Sequence, residues 1–195
     1  MAGSATIRDA DPADIDFLAQ IDLRVDSDTG ETYHLEWGAA QRRAHRERIA
    51  WFVDHPDGIA SVGEVPDAGA EARVAMLLAR VRELDGDGDN RDREMFVGTL
   101  WPLLPSGWVP SDGRFLEVFQ LWVDPRHRRR GIASKLKQRL DGVARSRGLE
   151  LIYTHTRANH AHVIALNEKL GYRRLRSAPL WDDVPRMSLA KRIEP

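Results

Sequence analysis

Apolar positions recur along the chain at two spacings, and the alternation between them predicts the order of elements. Residues 5–8 read as a short strand. Asp11-Pro12 then opens a helix, with Asp11 as N-cap and Pro12 at the first helical position. Ile15, Leu18 and Ile21 or Leu23 follow at helical spacing, and residues 26–30 break the pattern. A second helix is predicted over 34–55, with Leu35, Ala39, Ile49, Phe52 and Val53 as its core positions. His55-Pro56-Asp57-Gly58 ends it with turn chemistry. Residues 59–65 and 72–84, joined by a Pro-and-Gly turn at 66–69, form a hairpin by pattern. Residues 91–113, with Pro102, Pro105, Gly107 and Pro110, read as a short helix and an irregular loop.

The pattern sharpens from residue 114. Residues 114–123 are rich in Phe, Val, Leu and Trp and read as a strand, ended by Asp124-Pro125. A helix then starts at Gly131, with Ile132, Leu136, Leu140 and Val143 on one face and Gly148 as its cap. Residues 149–156 are strand again. Asn159 is the expected cap of a further helix, with Val163, Leu166 and Leu170 on one face and Gly171 at its end. Two last strands are expected at 173–176 and 186–193. Strands and helices alternate late in the chain, so the class is α/β.

A length of 195 residues suits one domain. The chain has no cysteine, which excludes a disulfide framework, a cysteine-ligated metal and thiol catalysis. No apolar run approaches the roughly 18 to 20 residues of a membrane helix, and residues 1–9 hold no apolar signal core. The expectation is a soluble cytoplasmic protein, a monomer or homodimer without membrane contact. Lys+Arg is 29 against 30 Asp+Glu, a net charge of −1, so no global polycation exists for nucleic acid. The segment 85–90 resembles the opening of a calcium loop, but Asn90 and Phe96 stand where glycine and an acidic residue are needed. His155, His160 and His162 form no metal set, since 160 and 162 point to different faces of a helix and no carboxylate stands at matching spacing. No metal is expected.

The one local charge excess is Arg126-His127-Arg128-Arg129-Arg130, in a loop between a strand and a helix that starts at Gly131-Ile132-Ala133-Ser134. Unbonded N–H groups of a first helical turn attract anions, and Gly131 and Ala133 leave room for a phosphate at the backbone. Arg128, Arg129 and Arg130 add charge and paired donors. A diphosphate suits this arrangement. Neither G-x-x-x-x-G-K-[ST] nor G-x-G-x-x-G occurs. Glu117, Asp124 and Asp141 flank the basic run and nothing aromatic interleaves with it, which argues against nucleic acid.

Arg128-Arg-Arg-Gly131-Ile-Ala133 resembles the Q/R-x-x-G-x-G/A signature with which GNAT N-acetyltransferases bind the diphosphate of coenzyme A. Leu121-Trp122-Val123-Asp-Pro125 resembles that family's bulged fourth strand. Residues 159–172, ending Leu166-Asn-Glu-Lys-Leu-Gly-Tyr172, resemble its second conserved segment, L-Y-x-K-x-G-F. The resemblance covers 114–176. It implies a single domain: acceptor-side elements and a variable loop in 1–113, a coenzyme-binding core in 114–176, a C-terminal strand in 177–195. It implies a mixed, mostly antiparallel sheet of about seven strands with about four flanking helices, splayed between the fourth and fifth strands.

The resemblance also implies acetyl-CoA as co-substrate and the amine of a small molecule or peptide as acceptor. Leu121, Trp122, Val123, Arg128 to Ser134 (Ile132 and Ala133 included), Asn159, Asn167 and Lys169 would hold the coenzyme. The backbone N–H of Val123 would bond the thioester oxygen and the oxyanion that follows. An alkylammonium must lose a proton before it attacks. Glu117, by alternation on the face of Phe119, Leu121 and Val123, is the candidate base; the alternative is a solvated strand residue. His155 is a second candidate acting through water. Many relatives carry a tyrosine as acid where this chain has Asn167, so the acid is unassigned: either the thiolate leaves unaided or a group such as Tyr153 helps. Tyr172 reads as core. A non-catalytic acyl-CoA-binding regulator of the same fold remains the alternative, with Asn167 as its support. Trp37, Trp51, Trp101 and Trp108 are candidates for lining an acceptor pocket or for core.

Overall fold

Asp11 caps the first helical segment as its sequence predicts. Its side chain accepts from Ala13 N, and Asp14 returns a bond to the Asp11 N–H, so two orphan donors of the helix start are satisfied. The computed structural model describes residues 5–21, 25–26, 31–32, 37–66, 72–84, 93–180 and 183–194. The elements are β1 (Thr6–Asp9), α1 (Ile15–Ile21), β2 (Val25–Asp26), β3 (Glu31–Thr32), α2 (Ala39–Asp54), β4 (Gly58–Glu64), β5 (Arg73–Glu83), β6 (Arg114–Val123), α3 (Ile132–Ser146), β7 (Leu151–Arg157), α4 (Ala161–Lys169), β8 (Arg173–Ala178) and β9 (Arg186–Arg192). A π-helical turn at Glu94–Leu100 and a 3-10 turn at Trp101–Leu103 fill the expected helix-and-loop region. The seven-stranded sheet has the order β1-β4-β5-β6-β7-β9-β8, and β2 pairs with β3 in a separate ribbon. Among the described residues no helix is long and apolar enough to cross a membrane.

The chain divides into two compact units, Met1–Arg80 with Gln120–Leu136, and Val81–Phe119 with Lys137–Pro195. In the first, β4 pairs antiparallel with β1 and β5. Helices α1 and α2 bury Leu18, Ile21, Ile49 and Phe52. Asp14 is fully buried and takes two guanidinium bonds from Arg8, at 2.6 and 3.0 Å. Burial pushes its pKa up, but the Arg8 bonds, the Asp11 N–H and the charges of Arg8 and Arg73 together outweigh that and hold it below the usual carboxylate range.

In the second unit β6 runs parallel to β7, and β9 pairs antiparallel with both β7 and β8. The β6–β7 ladder joins Leu116–Val118 to Ile152–Thr154. This three-residue ladder, short beside a ten-residue strand, fits the splay that the family resemblance implies. Phe96, Leu100, Phe115, Leu151, Tyr153 and Ala190 build a core on one sheet face, with Phe96 edge-on to Tyr153 at 5.2 Å.

The structure corrects the sequence reading in several places. α2 starts at Ala39, which is exposed, while His45 is buried in its place; Leu35 lies outside the described residues, as do Leu23 and 85–90. His160 rather than Asn159 is the N-cap of α4, and Asn159 is exposed. The buried positions of α4 are Ile164 and Asn167; Val163, Leu166 and Leu170 are half-buried. Because His160 stands outside the helix, its ring stacks against His162 at 6.0 Å instead of pointing away. Phe115 to Val118 are buried on both faces of β6, so alternation does not mark a solvated side there.

Candidate functional site

The first unit contains the strand end, basic loop and helix start singled out by sequence. Leu121, Trp122 and Val123 are half-buried at the end of β6, and Trp122 meets Phe17 edge-on at 6.5 Å. The chain then turns at Asp124, whose N–H bonds Val74 O at 2.8 Å. Asp124 caps a 3-10 turn at Pro125–His127 and takes bonds from the Arg126 backbone and guanidinium. Those bonds, against burial, hold its carboxyl below the ordinary range.

The basic residues of this loop are therefore not equivalent. Arg126 is bound to Asp124, and Arg128 donates Nε to Val123 O at 3.0 Å. Arg129 and Arg130 are exposed. Arg129 has φ 62° and Gly131 φ 78°, so the backbone enters the left-handed region twice within three residues. A non-glycine residue held there costs energy, which is the kind of strain that collects at ligand sites. A Cβ built on Gly131 meets nothing within 4 Å, so the space beside the helix start is open. Helix bonding begins with Lys135 N to Gly131 O, leaving the N–H groups of Ile132, Ala133 and Ser134 without an intrahelical acceptor. Open space, orphan donors and two exposed guanidinium groups suit a diphosphate.

The second unit holds the other expected residues. Asn167 is 1% exposed; its Nδ2 donates to Val163 O at 2.9 Å, and its Oδ1 is buried with no hydrogen-bond partner. Asn159 and Lys169 are exposed. Glu117 is 4% exposed, not a solvated strand residue, and lies 3.5 Å from Arg82 Nε. Arg82 in turn covers the Phe96 ring at 5.5 Å. Across the parallel ladder Glu117 faces Tyr153, whose hydroxyl lies 3.0 Å from Ser188 Oγ. Burial pushes the Tyr153 phenol well above its ordinary value, with the Glu117 charge adding to the rise, so this phenol is a poor proton donor. His155 is half-buried and Tyr172 is core. The tryptophans divide: Trp101 packs on Phe96 and Phe115, and Trp108 lies under Arg173. Trp51 stacks on His55, while Trp37 lines a cavity of about 170 Å³ with Asp16, Gln20 and Arg42.

Lys137 was not singled out by sequence, yet it is 2% exposed. Its Nζ lies 3.4 Å from Thr154 Oγ1 and 4.6 Å over the Tyr172 ring. Burial brings its pKa down to about 7, with Asp141 opposing and Lys191 assisting. The signal was present: Ala133, Lys137, Leu140 and Ala144 form one helical stripe, and a lysine interrupts it.

The fold is shared with solved acetyltransferases. The plant NAA60 from Arabidopsis thaliana, in complex with acetyl-CoA, superposes with a TM-score of 0.70 at 16% identity, covering 97% of this chain and 100% of that one. A mosquito arylalkylamine N-acetyltransferase-like protein gives 0.66 at 16% identity, over 97% and 100%. The ribosomal-protein-S18-alanine N-acetyltransferase of Escherichia coli gives 0.61 at 15%, over 98% and 95%. No curated protein sequence matches the chain. The family model described as "Acetyltransferase (GNAT) family" matches residues 27–172, taking in the loop, the helix start and the α4 segment. On that match the chain belongs to the acetyltransferase (GNAT) family.

Proposed function

We propose that the chain transfers the acetyl group of acetyl-CoA to the amine of a small molecule or peptide, in the cytoplasm, with the 195 residues acting as one catalytic domain. The observation that carries this reading is the doubly left-handed loop at Arg129 and Gly131, opening onto free space at the start of α3. Arg129, Arg130 and the N–H groups of Ile132 to Ser134 would grip the coenzyme diphosphate, and Leu121 to Val123 would pair with the pantetheine amides as an added strand does. Asn159, Asn167 and Lys169 complete the proposed coenzyme contacts.

In the reaction the amine nitrogen forms a bond to the thioester carbon, the C–S bond breaks, and the thiolate leaves. The Val123 N–H would bond the oxygen that gains charge, a donor worth about 3 to 4 kcal/mol where such groups have been removed. Glu117 is the proposed acceptor of the ammonium proton, directly or through water. Its carboxylate is buried and lies beside Arg82. Tyr153 holds its proton too firmly to protonate the thiolate efficiently, and Asn167 has none to give, so the thiolate leaves unaided.

Melting the protein with acetyl-CoA tests the coenzyme half. At about 100 times Kd the ligand adds roughly 2.7 kcal/mol of stability, a clear rise in Tm. Thiol release over a panel of amines tests the transfer half. Asn167 favours one competing reading, a regulator that binds acyl-CoA without turnover. A raised Tm with no thiol released from any amine would select that reading.

A further inference from the structure

Glu117 is buried, and a buried carboxylate is aimed by the groups that touch it rather than by solvent. The sheet order puts its strand, β6, between β5, which carries Arg82, and β7, which carries Tyr153 opposite Glu117. Arg82 Nε stands 3.5 Å from Glu117 Oε2, and the two side chains are 14% and 5% exposed. A guanidinium stays charged at every working pH and presents its N–H groups in one plane. Lysine would bring the same charge on a flexible stem, without a fixed direction.

The direction of Arg82 is set in turn by an aromatic ring. Its Cζ lies 5.5 Å from the centre of Phe96, within reach of a cation–π contact. Phe96 is fully buried and is held by Phe115 at 4.7 Å, Tyr153 at 5.2 Å and Trp101 at 5.6 Å. It belongs to the π-helical turn at Glu94–Leu100, a geometry that occurs mostly as single turns and frequently at functional sites. One rigid ring therefore touches both Arg82 and Tyr153, the residues that flank Glu117. A carboxylate has about four lone-pair positions, so an ion pair at Oε2 does not use up its capacity for an ammonium proton.

We infer that Arg82 is a positioning residue for acetyl transfer: braced on Phe96, it fixes the Glu117 carboxylate in the orientation from which that group takes the acceptor's proton. The inference rests on the base role proposed for Glu117 above and adds a second residue to it. Arg82 acts through Glu117, and the chemistry stays with the carboxylate.

Thiol release from acetyl-CoA, with the most reactive amine of a panel, tests this in a double-mutant cycle. Glu117→Gln is expected to lower kcat about 100-fold, the scale of a lost general base. Arg82→Gln alone should lower kcat about tenfold or more, with the KM for acetyl-CoA changed by less than about twofold. The double variant should be no slower than Glu117→Gln, because a group that acts through the carboxylate then has nothing left to position. Arg82→Lys, which keeps the charge without the planar fork, should recover at most part of the loss. Melting curves establish that each variant folds, and Arg82→Lys takes the place of Arg82→Gln in the cycle if the latter does not.

An unchanged kcat in Arg82→Gln beside a large loss in Glu117→Gln overturns the inference and leaves the base reading standing. A double variant slowed by the product of the two single losses also overturns it, since that marks an independent structural role. So does a loss carried by KM rather than kcat. An unaffected Glu117→Gln removes the base itself, and the inference falls with it; absence of thiol release from every amine ends both.

Discussion

Replacing Gly131 separates the backbone strain of the loop from its proposed ligand. Gly131 has φ 78°, and an added Cβ has no neighbour within 4 Å. Alanine there therefore meets no clash, and its cost is conformational, about 1 to 2 kcal/mol for an L-residue in the left-handed region. At about 2 to 4 °C per kcal/mol for a chain of this size, Tm should fall by roughly 2 to 8 °C. Glutamate bears the same backbone cost and adds one negative charge. Set about 5 Å from a phosphate charge at an effective dielectric of about 20, that charge is opposed by about 3 kcal/mol. Such a penalty is about two orders of magnitude in Kd. Calorimetric titration with coenzyme A, alongside melting curves, measures both parts. Gly131→Ala and Gly131→Glu should lose similar stability, while the glutamate variant binds far more weakly, the gap narrowing as salt is added. If the two variants bind coenzyme A equally well, no phosphate sits at the start of α3.

Two further outcomes follow from buried polar groups. The folded pKa of Lys137 is about 7 against an ordinary 10.5, so between those values the unfolded chain holds a proton that the folded chain has released, and stability rises with pH across that window. Below it both states are protonated and the fold bears the whole cost, of order a few kcal/mol. Lys137→Met should therefore raise Tm at about pH 6 and lose most of that gain near pH 9.5; an equal gain at both would mean that packing alone is responsible. Asn167→Ala removes the bond to Val163 O and the buried Oδ1, and should weaken coenzyme A binding by about 1 to 2 kcal/mol while kcat falls less. Calorimetry beside steady-state thiol release reads the two, and a loss confined to kcat would assign Asn167 to the chemistry.

What the sequence disclosed was local, and what it concealed was brought together by sheet register. The Asp11 cap, the apolar face of α3 and the loop from Asp124 to Ser134 each depend on residues within a few positions of one another. A coenzyme site made largely of backbone N–H groups is legible for that reason, because glycine and small residues at fixed spacing are its record. The order of the late strands and helices was legible too. Glu117 is a candidate base by sequence, but its burial and its pairing are not legible there, because Arg82 lies on a different strand and burial on both faces of β6 erases the alternation that would show which side is wet. Asn159 has the side-chain chemistry of a cap, whereas α4 starts two residues later behind His160.

The fold bears an electrostatic cost at Lys137, and the burial of that side chain decides its meaning. Lys137 is enclosed by Thr154, Tyr172 and its own helix, so nothing from solvent can offset its desolvation, and a methionine could replace it at a gain. Glu117 differs: its carboxylate is already matched by Arg82, so an incoming ammonium must share it rather than neutralise a lone charge. Sharing weakens ground-state attraction for the amine, so in the proposed mechanism Glu117 serves the proton transfer more than it serves binding.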